Sequence, residues 1–273
     1  MVHFVGGGPG APDLISVRGA RLIRESDVII YAGSLVNPAL LEARKAKSRV
    51  YNSAVMTLEE VIGVMREAYE NGQDVVRLHT GDQSLYGAIR EQMDALDALQ
   101  IPYDDTPGIS SFCGAAAALG AEYTLPGVSQ SLIITRMEGK TPVPEKEALH
   151  TLASHACSMV IFLSAGLIPE VQEELLKGAY TRDTPAAIVY KATWPEEKVL
   201  RCTVGTLTET ARREGIHKTA LILAGGFLSA PYERSRLYAP DFSTEYRRAS
   251  VPENAGSVAV SGEETCTHRQ EER

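Results

Sequence analysis

The chain has 273 residues, of which 44% are hydrophobic, 23% charged and 6% aromatic, a balance typical of globular proteins. Its length predicts one large or two medium domains with a substantial buried core. The formal net charge of −8 and the pI near 5.4 disfavour nucleic acid or an anionic membrane as the main partner, because both favour clustered Lys and Arg. No signal-like or membrane-length apolar run is present, so we expect a cytoplasmic protein.

The first half of the chain alternates between apolar runs and helical periodicity. Strands are predicted at residues 2–5, 28–31, 74–79 and 101–104, and helices at residues 17–24, 58–69, 88–99 and 111–119. Strands that alternate with helices are typical of a mostly parallel sheet with crossover helices. The fold class predicted for this half is therefore α/β.

The sequence changes character after residue 122, where Pro126-Gly127 precedes a new β-rich run. Strands are predicted at residues 131–135, 159–163, 186–190, 199–204 and 220–223, and helices at residues 169–176 and 207–214. We therefore expect an N-terminal α/β domain at residues 1–122 and a C-terminal, more mixed α/β domain at residues 123–248. The polar residues 249–273 are expected to form a disordered tail.

Several chemistries have no support in the sequence. No two of the four cysteines have the two-residue spacing of a zinc or redox motif, and the histidines form no cluster with Cys, Asp or Glu, so we expect buried thiols and no metal. The Gly-x-Ser-x-Gly motif of serine hydrolases is absent.

The first candidate site is the glycine-rich turn Gly6–Gly10, which follows a strand and allows a ligand to approach the backbone. No Gly-Lys-Ser/Thr follows it, which disfavours a Walker-type phosphate loop. The spacing Gly6-x-Gly8-x-x-Ala11 matches a loose dinucleotide fingerprint, with Asp27 as its ribose ligand. A nicotinamide-dependent oxidoreductase is therefore one alternative, and a turn that serves the topology alone is another.

Two more candidates lie where predicted strands pass into helices. In residues 77–87, Gly81 allows close backbone approach, and Asp82 either accepts hydrogen bonds from ligand hydroxyls or caps the next helix. In residues 106–112, Ser111 either contacts a ligand or serves as a helix N-cap. Ligands of open α/β sheets bind at this edge, so the segments could form one site.

Together, Val5–Gly10, Thr80–Gly87 and Pro107–Phe112 resemble the tetrapyrrole methylase family, and the resemblance extends over about residues 2–245. Residues 31–36, 125–130, 135–142 and 189–197 are similar to the branch that methylates ring carbon C11 of precorrin-4 or cobalt-precorrin-4 in cobalamin biosynthesis. The resemblance implies two α/β domains with S-adenosylmethionine in the cleft between them, a precorrin tetrapyrrole substrate and a homodimer. One alternative within the family is another tetrapyrrole C-methyltransferase, and another is a tetrapyrrole-binding carrier that kept the fold but lost activity.

The resemblance also implies site residues. The cofactor contacts carried over by position are Pro9, Thr80, Gly81, Asp82, Leu85, Ser110, Ser111, Leu163, Ala192 and Ala220. Family members often have Pro where this chain has Gln83, and Met where it has Leu163. Candidate ligands for the substrate carboxylates are Arg77, Arg136 and Lys191, which could instead form surface or inter-domain ion pairs. Asp104 and Tyr86 are candidates for removing a proton from the methylated carbon, since they lie near the ligand segments in sequence.

Overall fold

The computed structural model describes residues 1–229 and 231–250, and it divides the chain into two compact units. Unit 1 comprises Met1–Leu119 and Tyr190–Lys198, and unit 2 comprises Gly120–Val189 and the chain from Val199 onward. The units thus change at residue 119, close to the predicted boundary at 122, but the return of residues 190–198 to unit 1 was not predicted. The predicted tail at 249–273 lies, from residue 251 on, outside the described residues.

Unit 1 contains a five-stranded sheet with four helices. The strands are β1 (Val2–Gly6), β2 (Val28–Tyr31), β3 (Arg49–Asn52), β4 (Val75–His79) and β5 (Tyr103–Thr106), and the helices are α1 (Val17–Glu25), α2 (Leu58–Glu70), α3 (Arg90–Ala98) and α4 (Ser111–Leu119). The strand order is β3-β2-β4-β1-β5, and neighbouring strands are parallel. The carboxyl ends of β4, β1 and β5 therefore lie side by side.

Alternating side chains of this sheet pack into two apolar cores, one on each face. Phe4 and Ile30 pack with Met65 of α2 on one face, and Val5 packs with Ile23 of α1 on the other. Because successive residues of a strand point to opposite faces, a strand covered by helices on both faces is apolar throughout. This is why the strands of the first half could be recognised as short apolar runs.

The described residues of unit 2 form a second five-stranded sheet with three α-helices. Its elements in chain order are β6 (Leu132–Arg136), α5 (Leu149–Ala153), β7 (Ser158–Phe162), α6 (Ile168–Lys177), β8 (Pro185–Tyr190), β9 (Lys198–Thr203), α7 (Leu207–Arg213) and β10 (Ala220–Ala224). The strand order is β6-β7-β10-β8-β9, with β6 and β7 parallel and β7 and β10 antiparallel. The predicted α/β class is thus confirmed, with the mixed sheet in the second half.

Three differences from the predicted elements have local causes. β3 was not predicted because its four residues are partly exposed and include Arg49. The strand predicted at 101–104 lies at Tyr103–Thr106, since the apolar Ile101 enters the core before the strand begins and Asp104 and Asp105 are exposed. The five-residue α5 is too short to give a periodic pattern. In the described part of the chain, no helix has the length and apolar character needed to span a membrane.

Candidate functional site

Three of the predicted ligand segments meet at one edge of the unit 1 sheet. Residues 7–11 follow β1, residues 80–84 follow β4, and residues 107–110 follow β5. Because these three strands are adjacent and parallel, the loops leave the sheet from the same edge. Ligands of open α/β sheets bind at this carboxyl edge. We refer to these three loops as the carboxyl-edge loops.

Backbone hydrogen bonds join the first two of these loops beyond the ends of their strands. The N–H of Gly7 donates to the carbonyl of His79 at 2.8 Å. Gly8 and Gly81 exchange two bonds, of 3.2 Å from Gly8 to Gly81 and 2.8 Å in the reverse direction. Both glycines have positive φ, 80° and 59°, a conformation that side chains with a Cβ rarely adopt. The sequence requires glycine here for backbone geometry.

The third loop packs against the other two without side chains. A Cβ on Gly6 would lie 2.6 Å from Cα of Gly108 and 2.7 Å from the carbonyl oxygen of Gly81. A Cβ on Gly108 would overlap that same oxygen. The three segments therefore touch backbone to backbone.

Asp82 fixes two of the loops to each other. Its Oδ2 accepts a hydrogen bond from the N–H of Gly108 at 2.8 Å, and its Oδ1 accepts bonds from the N–H of Ser84 at 3.0 Å and from the Ser84 hydroxyl. Burial raises the pKa of this carboxyl, but the three hydrogen bonds together outweigh burial and lower it below the ordinary value. No helix begins at this point, since α3 starts at Arg90, so the helix-cap interpretation of Asp82 is wrong.

Gln83 forms a second link between the loop after β4 and strand β5, which the sequence did not predict. It is buried, and its Nε2 donates to the carboxylate of Asp105 and, at 3.0 Å, to the carbonyl of Thr106. Its Oε1 has no hydrogen-bond partner, and neither have Oγ1 of Thr106 and Nε2 of His79, which are also buried. Burial lowers the pKa of His79 to about 3, with a smaller effect from the charge of Arg77, so this imidazole is neutral near pH 7.

Most of the predicted cofactor contacts belong to unit 1. Pro9, Thr80, Gly81, Asp82, Leu85, Ser110 and Ser111 lie in or directly beside the carboxyl-edge loops, and Ala192 lies in the segment 190–198. Ser110 is buried and directly precedes α4, so Ser110 rather than Ser111 occupies the N-cap position. These eight positions remain predictions as ligand contacts.

The other two predicted contacts belong to unit 2, where the structure brings them to one end of the second sheet. Leu163 directly follows β7, is 65% exposed and has φ 52°, which is strained for a residue with a branched side chain. Ala220 begins β10. The antiparallel register pairs Ile222 with Ile161, and its continuation places Ala220 opposite Leu163.

Arg77, predicted to bind substrate carboxylates, lies inside unit 1. It is 6% exposed, its Nε donates to Oε1 of Gln92 at 2.9 Å, and a terminal nitrogen donates to the carbonyl of Ile30 at 3.2 Å. Burial lowers the pKa of its guanidinium to about 10. In this structure the Arg77 head group faces α3 and not a ligand surface, which corrects the prediction.

Arg136 also has its guanidinium engaged, in unit 2. It donates to the carbonyl oxygens of Met137, Thr141 and Pro142 at 3.4, 3.2 and 2.6 Å. These bonds close the loop that follows β6. The structure thus gives Arg136 a role in holding that loop, while substrate binding remains a prediction.

Lys191, the third predicted cation, is paired within the segment 190–198. Its Nζ lies 5.0 Å from the ring centre of Trp194 and 3.5 Å from a carboxylate oxygen of Glu196, and its side chain is 25% exposed. The contact with the ring is a cation–π interaction. Its Nζ also lies 5.8 Å from the ring centre of Tyr190, so Lys191 has three partners within this segment, and substrate binding remains a prediction for it.

The two predicted proton acceptors are placed very differently. Asp104 bonds Nδ1 of His3 at 2.7 Å and lines a cavity with Met1 and Asp74, which precede β1 and β4. It therefore lies toward the amino edge of the sheet, away from the ligand segments. The prediction that it removes a proton from the substrate at the carboxyl edge is wrong. Tyr86 lies in the loop after β4, is 44% exposed and has φ 59°. Its role as a base remains a prediction.

Asp27, the ribose ligand of the oxidoreductase alternative, also lies at the amino edge. It directly precedes β2, and its carboxylate binds Nζ of Lys45 at 2.9 Å and the N–H of Asp74 at 3.2 Å. The ribose ligand of a dinucleotide fold has to reach the carboxyl edge, where the glycine turn lies. The structure therefore does not support the dinucleotide interpretation.

A parallel α/β sheet whose carboxyl-edge loops pack through glycines places this chain among the α/β proteins whose ligand sites lie at the carboxyl edge. Comparison with known families makes the class specific. The family model described as tetrapyrrole (corrin/porphyrin) methylases matches residues 1–208, and the chain belongs to this family.

Relatives and a solved structure agree with the family model. The chain is 51% identical, over 91% of its length and 96% of the relative, to the cobalt-precorrin-4 C(11)-methyltransferase of Methanocaldococcus jannaschii. It is 44% identical, over 90% of its length and 98% of the relative, to the precorrin-4 C(11)-methyltransferase of Pseudomonas aeruginosa. The X-ray structure of a cobalt precorrin-4 methyltransferase, titled a cobalamin biosynthetic enzyme, matches with a TM-score of 0.82 at 46% identity, covering 84% of this chain and 95% of that one.

Proposed function

We propose that this protein is an S-adenosylmethionine-dependent methyltransferase that acts on ring carbon C11 of precorrin-4 or cobalt-precorrin-4 in cobalamin biosynthesis. The observation that carries the proposal is the likeness to relatives with these names, which are 51% and 44% identical over at least 90% of the chain. S-adenosylmethionine is the methyl donor of the family. We further propose a homodimer, as the family resemblance implies, and a cytoplasmic location, as expected from the sequence.

The carboxyl-edge loops fit this cofactor better than they fit a nucleotide phosphate. Apart from Asp82, residues 7–11, 80–84 and 107–111 carry no charged side chain. The lowered pKa of Asp82 keeps its carboxylate ionised, so the local charge is negative. A negative site repels phosphate and attracts the sulfonium and ammonium groups of S-adenosylmethionine. The hydroxyls of Thr80, Ser110 and Ser111 are of the type that binds ribose or an amino-acid carboxylate.

The chemistry explains why no nucleophile or metal motif is needed in the sequence. When bound, S-adenosylmethionine supplies an activated methyl group, and the protein contributes position and orientation. Holding two reactants in line can account for about 7–11 kcal/mol of the barrier. In this chain Asp82 and Gln83 set the position of the loop after β4 relative to the end of β5, and the glycine contacts leave little room for that position to vary.

The test is an anaerobic incubation of the full chain with S-adenosylmethionine labelled with ¹³C in its methyl group. Precorrin-4, cobalt-precorrin-4 and uroporphyrinogen III are offered in parallel, and the products are read by mass spectrometry and NMR. The proposal predicts one labelled methyl on C11 of at least one precorrin-4 form. Methylation of uroporphyrinogen III alone would support a methyltransferase activity but overturn the assignment to C11 of precorrin-4.

A further inference from the structure

The segment between β8 and β9 has an unusual backbone. Residues 190–198 belong to unit 1, although β8 and β9 are strands of the unit 2 sheet. Lys191 and Thr193 have φ of 46° and 68°, which is uncommon for side chains with a Cβ. The N–H of Trp194 donates to the carbonyl of Lys191 at 3.0 Å, and the N–H of Thr193 donates to Glu197 at 2.6 Å. Such strain persists where surrounding contacts fix it, often at a functional site.

Trp194 uses this backbone to reach the glycine turn after β1. Its indole ring occupies the space that a Cβ on Gly10 would fill. Its Nε1 donates a hydrogen bond of 3.2 Å to the carbonyl oxygen of Pro9. The absence of a side chain at Gly10 therefore serves the tryptophan, whereas Gly6 and Gly8 serve the backbone of the neighbouring loops.

Gly10 and the next residue, Ala11, are also held by hydrogen bonds to side chains. Oγ1 of Thr193 accepts a hydrogen bond from the N–H of Ala11 at 2.9 Å, and Nδ2 of Asn37 donates to the carbonyl of Gly10 at 2.8 Å. Three consecutive residues of the turn, Pro9 to Ala11, are thus each bonded to a side chain from outside the turn. The glycine-rich chain would otherwise have the greatest conformational freedom of any in the site.

We propose that Trp194, together with Thr193, is a positioning residue that fixes the Pro9–Ala11 backbone in the conformation that binds the cofactor. The proposal rests on the proposed function for the identity of the cofactor, and it assigns a role that the carried-over contacts do not include. A ligand that binds only one conformation of the turn has an apparent affinity equal to its intrinsic affinity multiplied by the fraction of molecules in that conformation. Loss of Trp194 is therefore expected to weaken cofactor binding without removing any group that touches the reacting atoms.

The first experiment measures the dissociation constant of S-adenosylhomocysteine by calorimetry. Trp194→Phe keeps an aromatic ring over Gly10 and removes the bond to Pro9, and we expect binding about five- to tenfold weaker, the effect of one hydrogen bond. Trp194→Ala is expected to bind still more weakly. The matched control is Tyr103→Phe, which removes a hydrogen bond to Asp97 in the same unit, at the first residue of β5. Wild-type affinity in both Trp194 variants would overturn the proposal.

A double-mutant cycle separates positioning from general destabilisation. Gly10→Ala in the wild type forces a Cβ into the indole ring and should weaken binding. In a Trp194→Ala background the clash with the indole ring is removed, so the same substitution should cost much less. If the two effects simply add, Trp194 and Gly10 are not coupled and the proposal is wrong.

Hydrogen exchange provides a test that needs no ligand. The N–H of Ala11 is bonded to Thr193, so Thr193→Val and Trp194→Ala should both speed its exchange, while Tyr103→Phe should not. Unchanged exchange at Ala11 would overturn the positioning role. If the wild type does not bind S-adenosylhomocysteine but the exchange result holds, the proposed cofactor fails and the positioning of the turn stands.

Discussion

Oδ2 of Asp82 accepts a hydrogen bond from the backbone N–H of Gly108 at 2.8 Å, and this bond joins the loop after β4 to the loop after β5. The two residues lie at a point where Gly6, Gly81 and Gly108 already touch through their backbones. The carboxylate of Asp82 and the absence of a Cβ at Gly108 thus together fix how the loops after β4 and β5 pack. Each can be changed separately.

The charge of Asp82 should distinguish the substrate form of the cofactor from its product form. We expect Asp82→Asn to weaken S-adenosylmethionine severalfold more than S-adenosylhomocysteine, because only the former carries a sulfonium charge and exposed ion pairs are worth up to about 1 kcal/mol. Calorimetric titrations with both ligands at low salt measure the difference. Asp27→Asn makes the same charge change at the amino edge and should not discriminate. Equal losses for both ligands in Asp82→Asn would contradict the electrostatic role.

Gly108 should tolerate no side chain. Gly108→Ala places a Cβ on the carbonyl oxygen of Gly81, and we expect a loss of about 1–3 kcal/mol in the free energy of unfolding of unit 1. The control is Gly63→Ala in α2, where nothing lies within 4 Å and the change should stabilise by about 0.5–1 kcal/mol. Urea unfolding monitored by Trp194, the single tryptophan of the chain, reports on unit 1. A neutral Gly108→Ala would contradict the close packing.

His79 should make unit 1 sensitive to acid. Burial lowers the pKa of its imidazole from 6.5 to about 3, so between these values the unfolded chain binds a proton that the folded chain does not. Stability is therefore lost as pH falls below about 6.5, with a slope of at most about 1.4 kcal/mol per pH unit from this group. His79→Gln should have a flatter stability profile between pH 6 and about pH 4 in urea titrations. Parallel profiles for the variant and the wild type would refute this.

Gln83 donates a hydrogen bond to Asp105 that a glutamate carboxylate at the same position could not donate. Gln83→Glu replaces the donor with a second acceptor beside Asp105, and we expect a loss of about 1–3 kcal/mol near pH 7. Adding Asp105→Asn restores a donor to the pair and should recover most of the loss. Urea unfolding of the two single variants and the double variant measures the coupling. An additive double variant would show that the two side chains do not interact.

Much of the fold was predictable because burial on both faces makes strands such as Val28–Tyr31 apolar throughout. The position of Arg77 was not predicted. Arg77 is a candidate ligand for substrate carboxylates by its charge, but it is paired in register with Phe4 and its guanidinium donates to Gln92 of α3. Sequence spacing does not specify which face of a strand a charged residue occupies.

The site was predictable where glycine is required and less so where side chains hold the loops. Gly8 and Gly81 were identified from their motifs, and both have positive φ. In the sequence, Gln83 stands out only as a departure from the family pattern. Trp194 lies far from the glycine turn in sequence, and the one available signal was a single tryptophan followed by proline in a segment noted for its resemblance. Tertiary contacts of this kind leave no local pattern.

We propose above all that the carboxyl-edge loops of this chain bind S-adenosylmethionine and not a nicotinamide dinucleotide. The most direct measurement is a calorimetric titration of the full chain with S-adenosylhomocysteine, NAD and NADP under the same conditions. The structure predicts saturable binding of S-adenosylhomocysteine alone, and weaker binding in Gly108→Ala. Binding of NAD or NADP with no response to S-adenosylhomocysteine would contradict the claim.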